Sequence, residues 1–162
     1  MSRANDLDSF VVPPSIRLLF DNNQLELIKT LCLLFSLYLN SNRRFNKLPD
    51  IVFYYSLVNF DMLKIIKSNE DTIDASRNLY YRFQEKINQI ILELINLGFV
   101  EIKGEITSNT NSLGVRLTRE GFEFVKDLGI DYFYKLINEY SSVIDMVDNN
   151  TKNRNLIKGV SK

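Results

Sequence analysis

The chain contains no histidine among its 162 residues, and this absence removes the commonest general base, the commonest zinc ligand and the Ser/His and Cys/His nucleophile pairs together. Its single cysteine, Cys32, has no intrachain partner and lies in an apolar run, where a small buried hydrophobe is expected rather than a nucleophile. Such cysteine usage fits a reducing, cytoplasmic setting. Only six glycines are present and none forms a phosphate-binding loop, so neither a nucleotide site nor any other cofactor is expected. Glu120, Glu123 and Asp127 recur on one short helix, but no His or Cys could complete a metal shell there, and they read as solvated surface. Asp71 and Asp74 lack the spacing of a calcium loop. An enzyme is not expected. The longest stretch without charge, Thr30 to Asn42, is 13 residues, against the roughly 20 that span a bilayer. No basic start leads into an apolar signal core, and a soluble cytoplasmic protein is expected.

Charge of either sign is also missing in excess, with 20 Lys+Arg against 20 Asp+Glu. Proteins that live by gripping phosphates usually carry a basic surplus. The 45% hydrophobic content at this length suffices for one domain with a core that needs no metal or disulfide.

Residues 1–22 read as an extended arm, because Pro13-Pro14 opposes helix through that point and Phe10, Val11 and Val12 favour extension. From Gln24 to Asn40 the chain predicts a helix apolar on every side, including Leu31, Leu33, Leu34 and Leu37. Such a helix is either central or covered by another chain. The basic loop 41–47 ends it, and Pro49 opens a second helix to about Phe60, with a short continuation holding Met62, Ile65 and Ile66.

The second half is more legible. Leu79, Phe83, Ile87, Ile90, Ile91, Leu94 and Ile95 fall three and four apart, predicting a helix over about 77–97 with one buried face. Gly98 stands where a left-handed cap would end it. Phe99 to Lys103 alternates as a half-buried strand, a polar stretch follows, and Val115-Arg116-Leu117 alternates again, which predicts a hairpin with a polar tip. Thr118 can cap the next helix, which turns Phe122, Val125 and Leu128 inward.

Long helix, Gly, strand, polar loop, strand and a Leu117-Thr118-Arg119-Glu120-Gly121 turn into a helix is the order of a winged helix-turn-helix. The expected fold class is mainly α with a small β-hairpin wing and extra helices at both ends, residues 23–148 forming one domain. The Leu-Thr-Arg-Glu-Gly turn resembles that of winged-helix proteins of the multiple-antibiotic-resistance-regulator type.

The face of the long helix opposite its apolar stripe holds Tyr81, Arg82, Glu85, Gln89, Leu92 and Asn96. A carboxylate at the centre repels phosphate, whereas recognition helices usually present basic and amide groups. On the wing, Lys103 and Arg116 are offset by Glu101 and Glu105, and residues 76–128 contain seven basic and seven acidic side chains. Duplex affinity comes largely from neutralised phosphates. Protein contact is therefore favoured over DNA reading, with Arg82, Gln89, Lys103 and Arg116 as the candidate DNA contacts.

After Gly129, Ile130, Phe133, Ile137, Tyr140, Ile144 and Val147 follow at alternating steps of three and four. They form either a short heptad seam for a partner or an amphipathic helix packed on its own domain. With Leu33 and Leu37 of the first helix, Ile137, Tyr140, Ile144 and Val147 are the candidate partner-binding residues. Residues 149–162 carry Lys152, Arg154, Lys158 and Lys162 with no acid, and read as a basic, disordered tail.

As a whole the chain resembles the small middle component of bacterial three-component ABC-ATPase defence systems, the group that includes the Lamassu antiphage systems. The likeness rests on the apolar helix Leu25 to Leu39, the start Leu48-Pro49-Asp50-Ile51, the run Arg77-Asn78-Leu79-Tyr80-Tyr81-Arg82-Phe83, and Asn96-Leu97-Gly98-Phe99-Val100 leading to the Leu-Thr-Arg-Glu-Gly turn. It implies a non-catalytic subunit bound to an SMC-like or Rad50-like ABC ATPase, helping couple detection of foreign DNA to an effector protein. The competing expectations are a homodimeric winged-helix transcriptional regulator that binds a palindrome, and a winged-helix adaptor of another pathway.

Overall fold

The computed structural model describes residues 14–41, 44–68, 74–104 and 110–159, with the side chains of 14–21 and 110 excepted. The chain is mostly helical with one small antiparallel sheet. Its elements are α1 (Pro14–Asn40), β1 (Asn46–Lys47), α2 (Leu48–Asn59), α3 (Leu63–Ser68), α4 (Asp74–Asn96), β2 (Val100–Lys103), β3 (Gly114–Leu117), α5 (Arg119–Lys126), α6 (Asp131–Met146) and α7 (Thr151–Lys158). A short 3-10 turn over Thr110–Ser112 precedes β3.

The all-apolar α1 is central. It packs against α6, α2, α4, α5 and β3, and Leu31, Cys32, Leu33, Leu34 and Leu37 are buried in the one contiguous core. Two buried hydroxyls on α1 are satisfied without water: Thr30 donates to the Glu26 carbonyl at 2.7 Å and Ser36 to the Ile137 carbonyl of α6 at 3.1 Å. The second bond ties α1 to the helix that covers it. Opposite them, α2 is buried along nearly its whole length. Tyr55 of α2 stacks on Phe83 of α4 with ring centroids 3.8 Å apart.

The extended-arm expectation is corrected for residues 14–22, which are helical; residues 1–13 lie outside the described residues. Pro14 occupies the first position of α1, where a missing N–H removes no intrahelical bond. The Pro13-Pro14 pair thus marks a helix start. A second correction concerns α4, where Tyr80 is 4% exposed and Leu79 is 42% exposed. Tyr80 lies three residues before Phe83 on the buried side of α4, which packs on α2 and α7, and Leu79 is turned outward.

The sheet has the order β1-β3-β2, antiparallel throughout. Its central strand β3 pairs Val100 with Leu117, Glu101 with Arg116 and Ile102 with Val115. The sequence-predicted hairpin is present. The third strand, β1, lies in what reads as a basic loop, and two residues are too few to show alternation.

The tail is the largest correction in its described part; residues 160–162 lie outside the described residues. Residues 151–158 form α7, packed on α3 and α4, and Ile157 is 0% exposed. The Asn150 side chain accepts from the Asn153 N–H at the helix start, and Gly159 closes the end in the left-handed conformation. Those local signals, Asn before the helix and Gly after it, outweigh the basic composition.

Candidate interaction face

The long helix presents its outward stripe as the spacing predicts. Tyr81, Arg82, Glu85, Gln89, Leu92 and Asn96 are all exposed, while Phe83, Ile87, Ile90, Ile91 and Leu94 are in the core. Gly98 ends the helix with φ +80°. The next residues are locked to the start of α5. The Phe99 carbonyl accepts from the Thr118 N–H at 3.0 Å, the Thr118 hydroxyl donates to the Gly98 carbonyl at 2.6 Å, and the Gly121 N–H donates to the same hydroxyl at 3.1 Å. A Cβ on Gly121 would lie 2.1 Å from the Phe99 oxygen. The Thr-Arg-Glu-Gly sequence is thus a clasp that fixes the hairpin relative to α4.

On the hairpin, Arg116 is already engaged. Its Nε donates to Glu101 Oε1 at 2.8 Å, and its guanidinium carbon lies 4.2 Å from the centroid of the Phe45 ring. Lys103 Nζ is 6.0 Å from that same centroid. Directly opposite strand positions make Glu101 and Arg116 a cross-strand ion pair, which leaves the arginine little capacity to neutralise a phosphate. Arg82 and Gln89 stay on the exposed stripe of α4, where Glu85 lies between them in sequence and Gln89 points toward Glu93 at 3.4 Å. Of the four candidate DNA contacts, three are exposed and Arg116 is half-buried.

The candidate partner-binding residues lie within or against the chain's own core. Leu33, Leu37, Tyr140 and Val147 are buried, and Ile137 and Ile144 are half-buried against the core. The three-and-four spacing of α6 is spent on α1 and α2 of the same chain. Tyr140 receives a hydrogen bond from Asn59 Nδ2 at 2.6 Å, and the Tyr54 hydroxyl donates to the Val147 carbonyl at 3.2 Å. Burial raises the Tyr140 pKa well above the ordinary phenol value, with the nearby Tyr55 adding to the shift. The apolar side chains that α6 and the residue before it do expose are Ile130, Tyr132, Tyr134 and Met146.

Burial likewise pushes the Cys32 thiol up to about 12, the state of an inert core thiol. Among the described residues no three His, Cys, Asp or Glu side chains converge as a metal site would require. No described helix is long and apolar enough to cross a membrane. The depressions among the described residues include one of about 680 Å³ at the base of the hairpin, bounded by Tyr38, Glu101, Arg116 and Phe122, and one of about 430 Å³ between α2 and α6, bounded by Leu57, Val58, Val143 and Met146. Neither brings a nucleophile beside a base.

The network missed in the sequence centres on Asp50. Its Oδ1 accepts from Asn149 Nδ2 at 2.6 Å and from the Arg154 guanidinium at 2.8 Å, and Arg154 Nε also donates to Asn149 Oδ1 at 2.5 Å. The partners are about a hundred residues apart, and nothing periodic connects them. Compared with family models, with curated protein sequences and with solved structures, the chain matches none.

Proposed function

We propose that the chain is a non-catalytic winged-helix subunit whose α4 face and hairpin meet another protein. The order α1, β1, α2, α3, α4, β2, β3 and the sheet order β1-β3-β2 support the winged-helix reading, with α4 in the place of the recognition helix. The observation that carries the preference for protein is the pairing of Arg116 with Glu101 beside an α4 stripe that holds Glu85 and the exposed Leu92. A duplex-reading face would leave that arginine available and would have no reason to expose a leucine. The resemblance to the middle component of ABC-ATPase antiphage systems supplies the partner class: an SMC-like ATPase, through which foreign-DNA detection is coupled to an effector in the cytoplasm.

Co-expression of the tagged chain with a coiled-coil ATPase encoded beside its gene tests this reading. The two co-purify, and Leu92→Asp on the exposed face abolishes the pairing while far-UV circular dichroism is unchanged. A chain that purifies alone and shifts a defined palindrome at physiological salt sinks the proposal. One observation favours the second reading, a DNA-binding transcriptional regulator: α7, which carries Lys152, Arg154 and Lys158, packs on α3 and α4 and adds positive charge beside an otherwise neutral segment. The dimer interface that this reading would draw from α6 is, however, turned toward α1.

A further inference from the structure

The depression between α2 and α6 has an apolar floor and an acidic rim. Leu57 and Val58 at the end of α2, Leu63 of α3, and Val143 and Met146 of α6 supply the floor. Leu57 and Val143 are buried, whereas Met146 is 57% exposed. An unbranched thioether at the edge of an apolar groove is an adaptable contact for a second apolar surface.

One carboxylate stands on each wall, Asp61 in the turn between α2 and α3 and Glu139 on α6, and among the described residues no Lys or Arg lines the groove. Both acids are exposed. Asp61 has φ +54°, the only described residue other than glycine in the left-handed region; glycine or asparagine would make that turn without a charge. Its ion pair with Lys64, at 2.9 Å, leaves the aspartate side chain 82% exposed, and such a surface contact does little to neutralise it. Helix α6 carries Asp131, Glu139 and Asp145 against one base, Lys135.

Charge decides what fits. An apolar groove with a carboxylate on each wall selects a segment that is apolar on one side and basic at its edges. The chain's own longer stretches outside the described residues have the wrong sign: 1–13 hold Arg3 against Asp6 and Asp8, 69–73 hold Glu70 and Asp71, and 105–109 hold Glu105. Its one basic helix, α7, already spends Ile157 on its own chain. A second copy meeting groove to groove across a two-fold axis would set acidic rim against acidic rim.

We propose that the groove between α2 and α6 is a docking site for a basic amphipathic helix of another protein. None of its lining residues belongs to α4 or to the hairpin, so this site is additional to the face in the function proposed above. A chain that holds one protein on α4 and a basic helix in this groove connects two partners.

The test is fluorescence-anisotropy titration of labelled model peptides of about 18 residues, long enough to form a helix, with the full chain at physiological salt. One peptide carries Leu at helical spacing and Lys elsewhere; the other has Glu in place of each Lys. The Leu/Lys peptide binds, and the Leu/Glu peptide binds at least about tenfold more weakly. Asp61→Asn combined with Glu139→Gln weakens the Leu/Lys peptide about tenfold. Met146→Asp separates docking from charge attraction: an added carboxylate strengthens a purely electrostatic contact, whereas the lost apolar contact weakens docking about tenfold. Leu92→Asp on α4 leaves the affinity unchanged. Absence of binding, equal binding of the two peptides, tighter binding by Met146→Asp, or loss of binding in Leu92→Asp overturns the proposal. A dimer of the unchanged chain that Met146→Asp dissociates puts a second copy in the groove and overturns it as well. Amide chemical shifts of the unchanged chain decide without any variant: the Leu/Lys peptide moves those of 57–63 and 138–146, and shifts confined to α4 and the hairpin overturn the site. The function proposed above fails separately, by absence of the ATPase pairing, whatever these titrations give.

Discussion

Gly121 lies against the backbone of Phe99, with no room between the glycine Cα and the Phe99 carbonyl for even a methyl group. The contact joins the end of α4 to the start of α5 across the base of the hairpin, and Thr118 closes it with hydrogen bonds in both directions. A change of Gly121 to Ala forces the helix off the strand connection, and a loss of about 2 kcal/mol or more is expected in urea unfolding. Thr118→Ala removes the cap and costs about 1 kcal/mol. Since both residues also set the position of the hairpin, equal stabilities in the two variants and the unchanged chain would contradict the clasp.

Tyr140 tests the packing of α6. It is fully buried and bonded to Asn59, so Tyr140→Phe costs about 1 kcal/mol and Tyr140→Ala about 3–5 kcal/mol. If α6 were a seam for an outside partner, the truncation would spare the stability of the chain alone and abolish only an assembly. Thermal melting of the isolated variants separates these outcomes.

Much of this arrangement is legible in the sequence because one signal dominates each element. The apolar positions of α4, Gly98, the paired strands and the Thr118 cap follow from spacing and turn chemistry. What is not legible depends on distant contacts. The two-residue β1 exists because β3 offers it an edge, and Tyr80 replaces Leu79 in the core on the side of α4 that packs on other helices of the chain. For α7, three basic residues outweigh two apolar ones in composition, whereas the Asn150 and Gly159 caps, burial of Ile157 and the Asp50 cluster decide the fold. The spacing along α6 marks one apolar face but not its cover, and here the cover is the chain's own α1.

Stability should fall at alkaline pH. Burial raises the pKa of Cys32 from 9.0 to about 12, and burial, with a contribution from Tyr81, raises that of Tyr80 from 10.0 to about 12; Tyr55 and Tyr140 are raised as well. Each group keeps its proton longer in the native state than when unfolded. Its stabilising contribution is therefore complete below the unfolded value and is lost as pH rises through the folded one. Urea midpoints decline from about pH 9 upward, with Tyr140→Phe declining less steeply. With no histidine in the chain, no imidazole titration adds a step between pH 6 and 8, and a cooperative transition there would contradict this picture.

Removing the Asp50 carboxylate bears on α7 alone. Asp50→Asn keeps the size of the side chain and removes the charge opposite Arg154, so global stability changes by no more than about 1 kcal/mol. The amides of α7 should exchange several-fold faster while those of α1 and α4 hold their rates. Uniform acceleration across all helices would mean that the cluster supports the whole fold.

The preference for a protein partner over a DNA sequence is tested most directly by selection from a random pool of duplexes with the unmodified full-length chain at physiological salt, followed by sequencing of the bound fraction and titration of the winners. A protein-facing α4 predicts that no sequence is enriched and that every duplex binds with a Kd weaker than about 10⁻⁶ M, the range of non-specific contact. Enrichment of a palindrome bound near 10⁻⁸ M or tighter, as specific readers achieve, would contradict it.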